Sequence, residues 1–156
     1  MPFEYLPIMA QHSAPKPPRV LAAPSKPAWC GLSKPARESR IALLSSAALR
    51  LVDQAPFIPR EDLSYRRLPA DPGAGAIIID HHSGIGQVPR LDPEIVFPRT
   101  VLAKLAAQGI IGALSPFHFS FMGGVRRHEE IENSLAPALA RELQQAGVDL
   151  ALLVPY

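Results

Sequence analysis

Cysteine is almost missing from this sequence, and Cys30 stands alone. An intramolecular disulfide and a metal site built on cysteine pairs are both excluded, because each needs at least two thiols at set spacing. Such sparse usage fits a reducing compartment. Cys30 also lacks a neighbouring His, a second Cys or a helix N-terminus to activate it, so it reads as a bystander. Net charge is nearly absent too. Lys and Arg number 16 against 14 Asp and Glu, leaving a formal +2 with charged residues at 19%, which argues against a disordered polyelectrolyte and a dedicated nucleic-acid binder. No run approaches the roughly 18 apolar residues that span a bilayer. The opening MPFEYLPIMAQHSAP lacks the basic-then-apolar order of a leader. The expectation is a soluble, cytoplasmic protein with neither membrane nor nucleic acid as partner.

What the chain does have is proline, 18 in 156 residues, eight of them within the first 35 positions. Residues 1–39 mix Pro, Ala, Lys and Ser without helical or strand periodicity, the pattern of an extended arm with no core of its own. Its Lys16, Arg19, Lys26, Lys34 and Arg37 suit either an acidic partner surface or a merely solvated tail. Residues 40–156, with apolar residues at 47% of the whole chain, are long enough to bury a core and read as one domain.

Within that domain RIALLSSAAL is a short apolar run of the kind found in strands buried on both faces. Pro56, Pro59, Pro69, Pro72, Gly73 and Gly75 then allow loops or short edge segments but no long helix. Ala76–Asp80 reads as a second buried strand. Pro98 followed by Val101, Leu102, Leu105 and Ala106 gives the helical period, with Gly109 as the stop. Phe117, Phe119 and Phe121 alternate as in a strand, after which Gly123 and Gly124 make a sharp turn. Ser134 is placed to cap a last helix whose stripe is Leu135, Leu139 and Leu143, ending at Gly147. VDLALLVPY reads as a buried terminal strand. Strands alternating with helices predict an open α/β fold, a mostly parallel sheet flanked by helices like half of a Rossmann fold. Leu43, Ile78, Leu105, Phe119, Leu139 and Leu152 are the expected core.

In such sheets ligands gather beyond the carboxyl ends of the strands. His81 and His82 follow a strand and occupy that place, either as ligand-facing groups or as loop histidines bonded to backbone. Asp92 and His118 are the nearest candidates for a third metal ligand, but adjacent histidines rarely share one ion, and no metal is assigned. His118 and Ser120 share the face of their strand opposite the phenylalanines. Gly123 and Gly124, with Arg126 and Arg127 behind them, offer backbone N–H and guanidinium groups to a carboxylate or to an acidic partner, or form a plain turn with a solvated basic face. His81 and Asp92 are expected near the Gly123 turn on one concave surface.

Several words of the sequence are more specific than its periodicity. PAWCGLSKPARESRIALLSSAAL leads into the first strand. Asp62, Ser64, Tyr65, Arg66 and Pro69 fit D-x-S-Y-R-x-(I/L)-P. LAKLAAQGIIGALSPFHFSFMG closes on Ser120, Phe121, Met122 and Gly123, and APALARELQQAGVDLALLVPY follows. In this order they resemble the B-type (selenoprotein B) subunits of the glycine, sarcosine, betaine and D-proline reductases, nearest in motif to the D-proline reductase selenocysteine subunit. The resemblance runs from about residue 27 to residue 156 and matches the N-terminal half of a typical relative. Asp80 stands where a serine is usual, and Ile85 where an acidic residue often follows the histidine.

The resemblance implies part of a subunit in an oligomeric oxidoreductase complex that reductively cleaves a C–N bond in glycine, betaine, sarcosine or proline-type substrates. It implies a selenocysteine or cysteine redox centre just past Tyr156, in a missing C-terminal half, and a pyruvoyl group on a partner subunit. No cofactor and no redox residue is placed in this chain, which alone would be inactive. A UGA codon after residue 156, read as stop, is the expected cause of that end. The other reading is a non-catalytic α/β binding or assembly module that grips a partner through its sheet edge and its arm.

Overall fold

The computed structural model describes residues 30–71, 73, 75–81 and 87–156. Most of the expected arm, residues 1–29, lies outside them, as do His82 and Ile85. A compact unit runs from Leu32 to Tyr156. Its strands are β1 (Ile41–Ser45), β2 (Leu49–Leu51), β3 (Tyr65–Pro69), β4 (Ile77–Ile79), β5 (Phe117–Phe121) and β6 (Leu150–Val154). Its α-helices are α1 (Gln87–Leu91), α2 (Arg99–Ala107), α3 (His128–Glu130) and α4 (Ala136–Gln145), and a π turn at Ile131–Leu135 joins the last two.

The main sheet has the order β3-β5-β1-β6. β1 is parallel to both β5 and β6, while β3 is antiparallel to β5. This is the predicted open, mostly parallel α/β architecture. β1 lies in the middle, and all five of its residues are buried. That agrees with its unbroken apolar run, since a strand covered on both faces has no solvent side to show. Leu43 joins Leu68, Val96, Phe97 and Leu102 on one face. Ala42, Leu44 and Phe119 meet Leu135 and Leu139 of the last helix on the other.

The predicted helix after Pro98 is α2, with Pro98 at its N-cap and Gly109 beyond it at φ 69°. Only glycine takes that left-handed conformation without strain. The last helix departs from expectation at its start. Ser134 does not cap it but sits inside the π turn, because helical structure already begins at His128 and runs through to Gln145. Pro137 follows directly on the π turn, at the second residue of α4, and a π turn is one of the places where a helix accommodates such an interruption.

Two strands were misjudged for burial. β4 pairs antiparallel with β2 in a separate two-stranded sheet, and its Ile78 is only partly buried. β6 is an edge strand that pairs with β1 alone among the described residues, and Leu152 and Leu153 stay 40% and 64% exposed. An apolar run marks both a central strand and a covered edge, and periodicity cannot tell them apart. Leu43, Phe119 and Leu139 are buried as expected, and Leu105 packs on the core partly buried.

Candidate functional site

Ser46, the first residue past β1, ties three strand ends together. Its carbonyl accepts the Gly123 N–H at 2.9 Å, and its own N–H donates to Val154 O at 3.3 Å. Its hydroxyl oxygen accepts the Tyr156 N–H at 2.9 Å. The carboxyl ends of β1, β5 and β6 therefore converge, as parallel strands require. β4 brings a fourth end to the same place. The Asp80 N–H donates to Ala48 O at 3.1 Å, and the Asp80 carboxylate accepts from Arg50 Nε at 2.8 Å and from the Phe57 N–H at 2.9 Å. This aspartate anchors both β2 and the loop that holds Pro59 and Arg60.

Beyond those ends lies a cleft of about 260 Å³, lined by Pro59, Arg60, His81, Met122, the Gly123–Gly124 turn and Arg126. The His81 ring stands edge-on to Tyr156, with centroids 5.0 Å apart and planes at 70°. Gly123 is required here on steric grounds. A Cβ at this position would lie 2.7 Å from Ser46 O and 3.1 Å from His81 Nε2. The next residue, Gly124, is exposed at φ 70°.

The structure thus brings His81, Gly123 and Gly124 to one concave surface, and it leaves Asp92 out. Asp92 is exposed, and its carboxylate is engaged in capping the 3-10 turn Pro93–Ile95 by accepting the Glu94 N–H at 3.0 Å. It is not among the residues lining the cleft. His118 and Ser120 lie inside the sheet with no exposure. Ser120 Oγ accepts the Leu49 N–H at 2.8 Å and donates to Ser45 O at 3.0 Å, which ties β2 to the main sheet. Burial first, and then the positive charge of Arg99, push the His118 pKa down to about 4. Both residues serve the scaffold. Among the described residues no group of three or more His, Cys, Asp and Glu is arranged to hold a metal ion.

Sequence reading missed Arg60, Ser46 and Tyr156. Arg60 holds φ at 64°, a conformation that no local signal announces for arginine. The position of Ser46 followed from no motif, although its place directly after a buried strand was a usable sign. Cys30, the chain's only cysteine, is not among the cleft residues, so no thiol of this chain lines the cleft.

No family model and no solved structure matches the chain. It is 28% identical over 127 residues to D-proline reductase subunit gamma of Acetoanaerobium sticklandii, a match that covers 81% of this chain and 52% of that protein. The chain therefore spans about half the length of the curated relative, and the similarity relates it to the D-proline reductase subunits. No helix among the described residues is long and apolar enough to cross a membrane.

Proposed function

We propose that this chain forms the N-terminal part of a subunit in a reductase complex that opens a proline-type ring. The observation that carries the reading is the similarity to D-proline reductase subunit gamma across 81% of the chain. The cleft supports it, since it lies where open α/β sheets hold their ligands. In the proposed reaction the bond between the α-carbon and the ring nitrogen of D-proline breaks. Two electrons and two protons come from a dithiol, giving 5-aminopentanoate and a disulfide. A selenolate or thiolate is the fitting nucleophile for such a step. The reading assigns that group to sequence outside residues 1–156, and a pyruvoyl group that captures the nitrogen to a partner subunit. The wider set of glycine, betaine and sarcosine as substrates belongs to the same proposal, as does a cytoplasmic location.

This chain contributes walls, orientation and exclusion of water, with His81 and the Gly123–Gly124 turn facing the reacting partners. A second reading, an assembly module without a catalytic part, draws on the open edge of β6 and its exposed Leu153.

A chimera separates the two. The matching segment of this chain replaces the matched 127 residues of the Acetoanaerobium sticklandii subunit, and the assembled complex is assayed for dithiothreitol-dependent formation of 5-aminopentanoate from D-proline. Turnover is expected. A chimera that folds and assembles but gives no product from proline, glycine, betaine or sarcosine overturns the reductase reading and leaves the assembly module.

A further inference from the structure

We infer that the cleft binds the carboxylate of a small, amino-acid-sized ligand between the guanidinium groups of Arg60 and Arg126. The inference rests on the reductase reading for bringing a substrate to this cleft, and on the cleft itself for the chemistry.

Both arginines line the cleft and both are exposed. Neither forms an ion pair among the described residues, and several acids nearby are engaged elsewhere. Asp62 accepts the Ser64 and Ile58 N–H groups and lies 3.8 Å from Arg66. Glu130 pairs with Arg127, and Glu61 also acts on Arg127. Asp80 is held by Arg50. Among the described residues no carboxylate lines the cleft. Two like charges on one concavity, neither ion-paired among the described residues, set up a field that an anion relieves. Guanidinium groups match a carboxylate in shape as well as in charge.

Two further observations point to the same surface. The Gly124 N–H finds no acceptor among the described residues, which leaves a backbone donor beside the two cations. Arg60 adopts φ 64°, a region that non-glycine residues enter rarely and at a cost, most often asparagine or aspartate. An arginine kept there has its side chain aimed by the backbone, and such outliers cluster at ligand clamps.

Size and polarity narrow the ligand. A volume of about 260 Å³ lies below the roughly 300–1,000 Å³ of clefts that hold drug-sized molecules. Pro59 and Met122 give an apolar wall that suits a short aliphatic chain or a five-membered ring.

The test uses the whole chain, labelled with 15N, and three probes: D-proline, D-prolinamide, which lacks the carboxylate charge, and cyclopentanecarboxylate, which lacks the amine. D-proline and cyclopentanecarboxylate are expected to shift the Gly124 amide and the His81 ring, and prolinamide to bind at least about tenfold more weakly. Arg60→Gln and Arg126→Gln should each weaken D-proline binding about tenfold, the size of one charge-assisted contact. Binding of cyclopentanecarboxylate without D-proline would uphold the carboxylate site and count against the proline reading. Equal binding of D-proline and prolinamide would overturn the carboxylate site while leaving that reading intact. If none of the three probes shifts the cleft, the inference fails. The comparison of probes on the unmodified chain stands even if a glutamine variant is poorly folded.

Discussion

The imidazole of His118 stands in for a backbone acceptor: its Nδ1 takes the Leu43 N–H at 3.2 Å. β1 pairs with Leu114 at Ile41 and with Phe119 at Leu44, so the Leu114–Phe119 segment carries two more residues than β1 between those points. Pro116 lies in the surplus, and the ring bridges the gap that results in the ladder. The Leu43 bond requires the neutral ring, and burial together with Arg99 holds the His118 pKa at about 4.

A pH dependence of stability follows. The unfolded chain takes up this proton near pH 6.5 and the folded chain only near 4, so the unfolded state binds more protons in between. The stabilisation is complete above about pH 6.5 and is lost as pH falls towards 4. Urea unfolding should show a loss of about 2 kcal/mol between pH 7 and pH 5 from this group. His118→Gln should flatten that difference. An equal slope in both proteins would remove His118 as its source.

Ser120→Ala leaves the buried Leu49 N–H without its 2.8 Å acceptor. A stranded buried donor costs about 1–3 kcal/mol. The midpoint of denaturant unfolding should fall accordingly while the far-ultraviolet circular dichroism keeps its shape.

Leu139→Ala empties a packed site between α4 and the sheet and should cost about 2–5 kcal/mol. Cys30→Ser, at an exposed position, should change stability by less than about 0.5 kcal/mol. Similar effects from the two would mean that the core lies elsewhere.

Gly123→Ala drives a methyl group against Ser46 O at 2.7 Å, a backbone atom that cannot swing aside. Overpacking of this kind costs about 1–3 kcal/mol. The His81 ring signals should shift as well, because Nε2 is the next neighbour at 3.1 Å.

Among the described residues the outer edge of β6 has no strand partner, Leu153 beside it is 64% exposed, and such edges pair with other chains. Light scattering should show concentration-dependent self-association of the chain, reduced by Leu153→Lys. A strictly monomeric protein at all concentrations would contradict this.

The sequence made some of these features plain and hid others, for physical reasons. Leu139 and Gly109 were legible because helix stripes and left-handed stops are local patterns. Phe119 was legible from alternation. His81 and Gly123 were legible as neighbours because parallel strands bring their carboxyl ends together. Ile78 and Leu152 were misread, since an apolar strand does not state whether anything lies beside it. Asp92 was misread because a capping aspartate and a ligand-facing one look alike until the turn after it is seen. Arg60 was invisible, as its role depends on a backbone angle and on Arg126, 66 residues away in the chain.

The placement of β1 between β5 and β6 also sets the pace at which this molecule folds. The Arg40 N–H that opens the central strand meets its Asp149 acceptor 109 residues later, and the Leu43 bond to His118 spans 75. Contacts of such long range demand that large loops close before any reward arrives, which slows folding. On a ribosome the central strand β1 emerges well before β5 and β6 and waits for both partners. During that wait its most apolar segment, Ile41–Leu44, is open to the wrong neighbours. The chain is therefore most vulnerable to aggregation during synthesis, before the native state has formed.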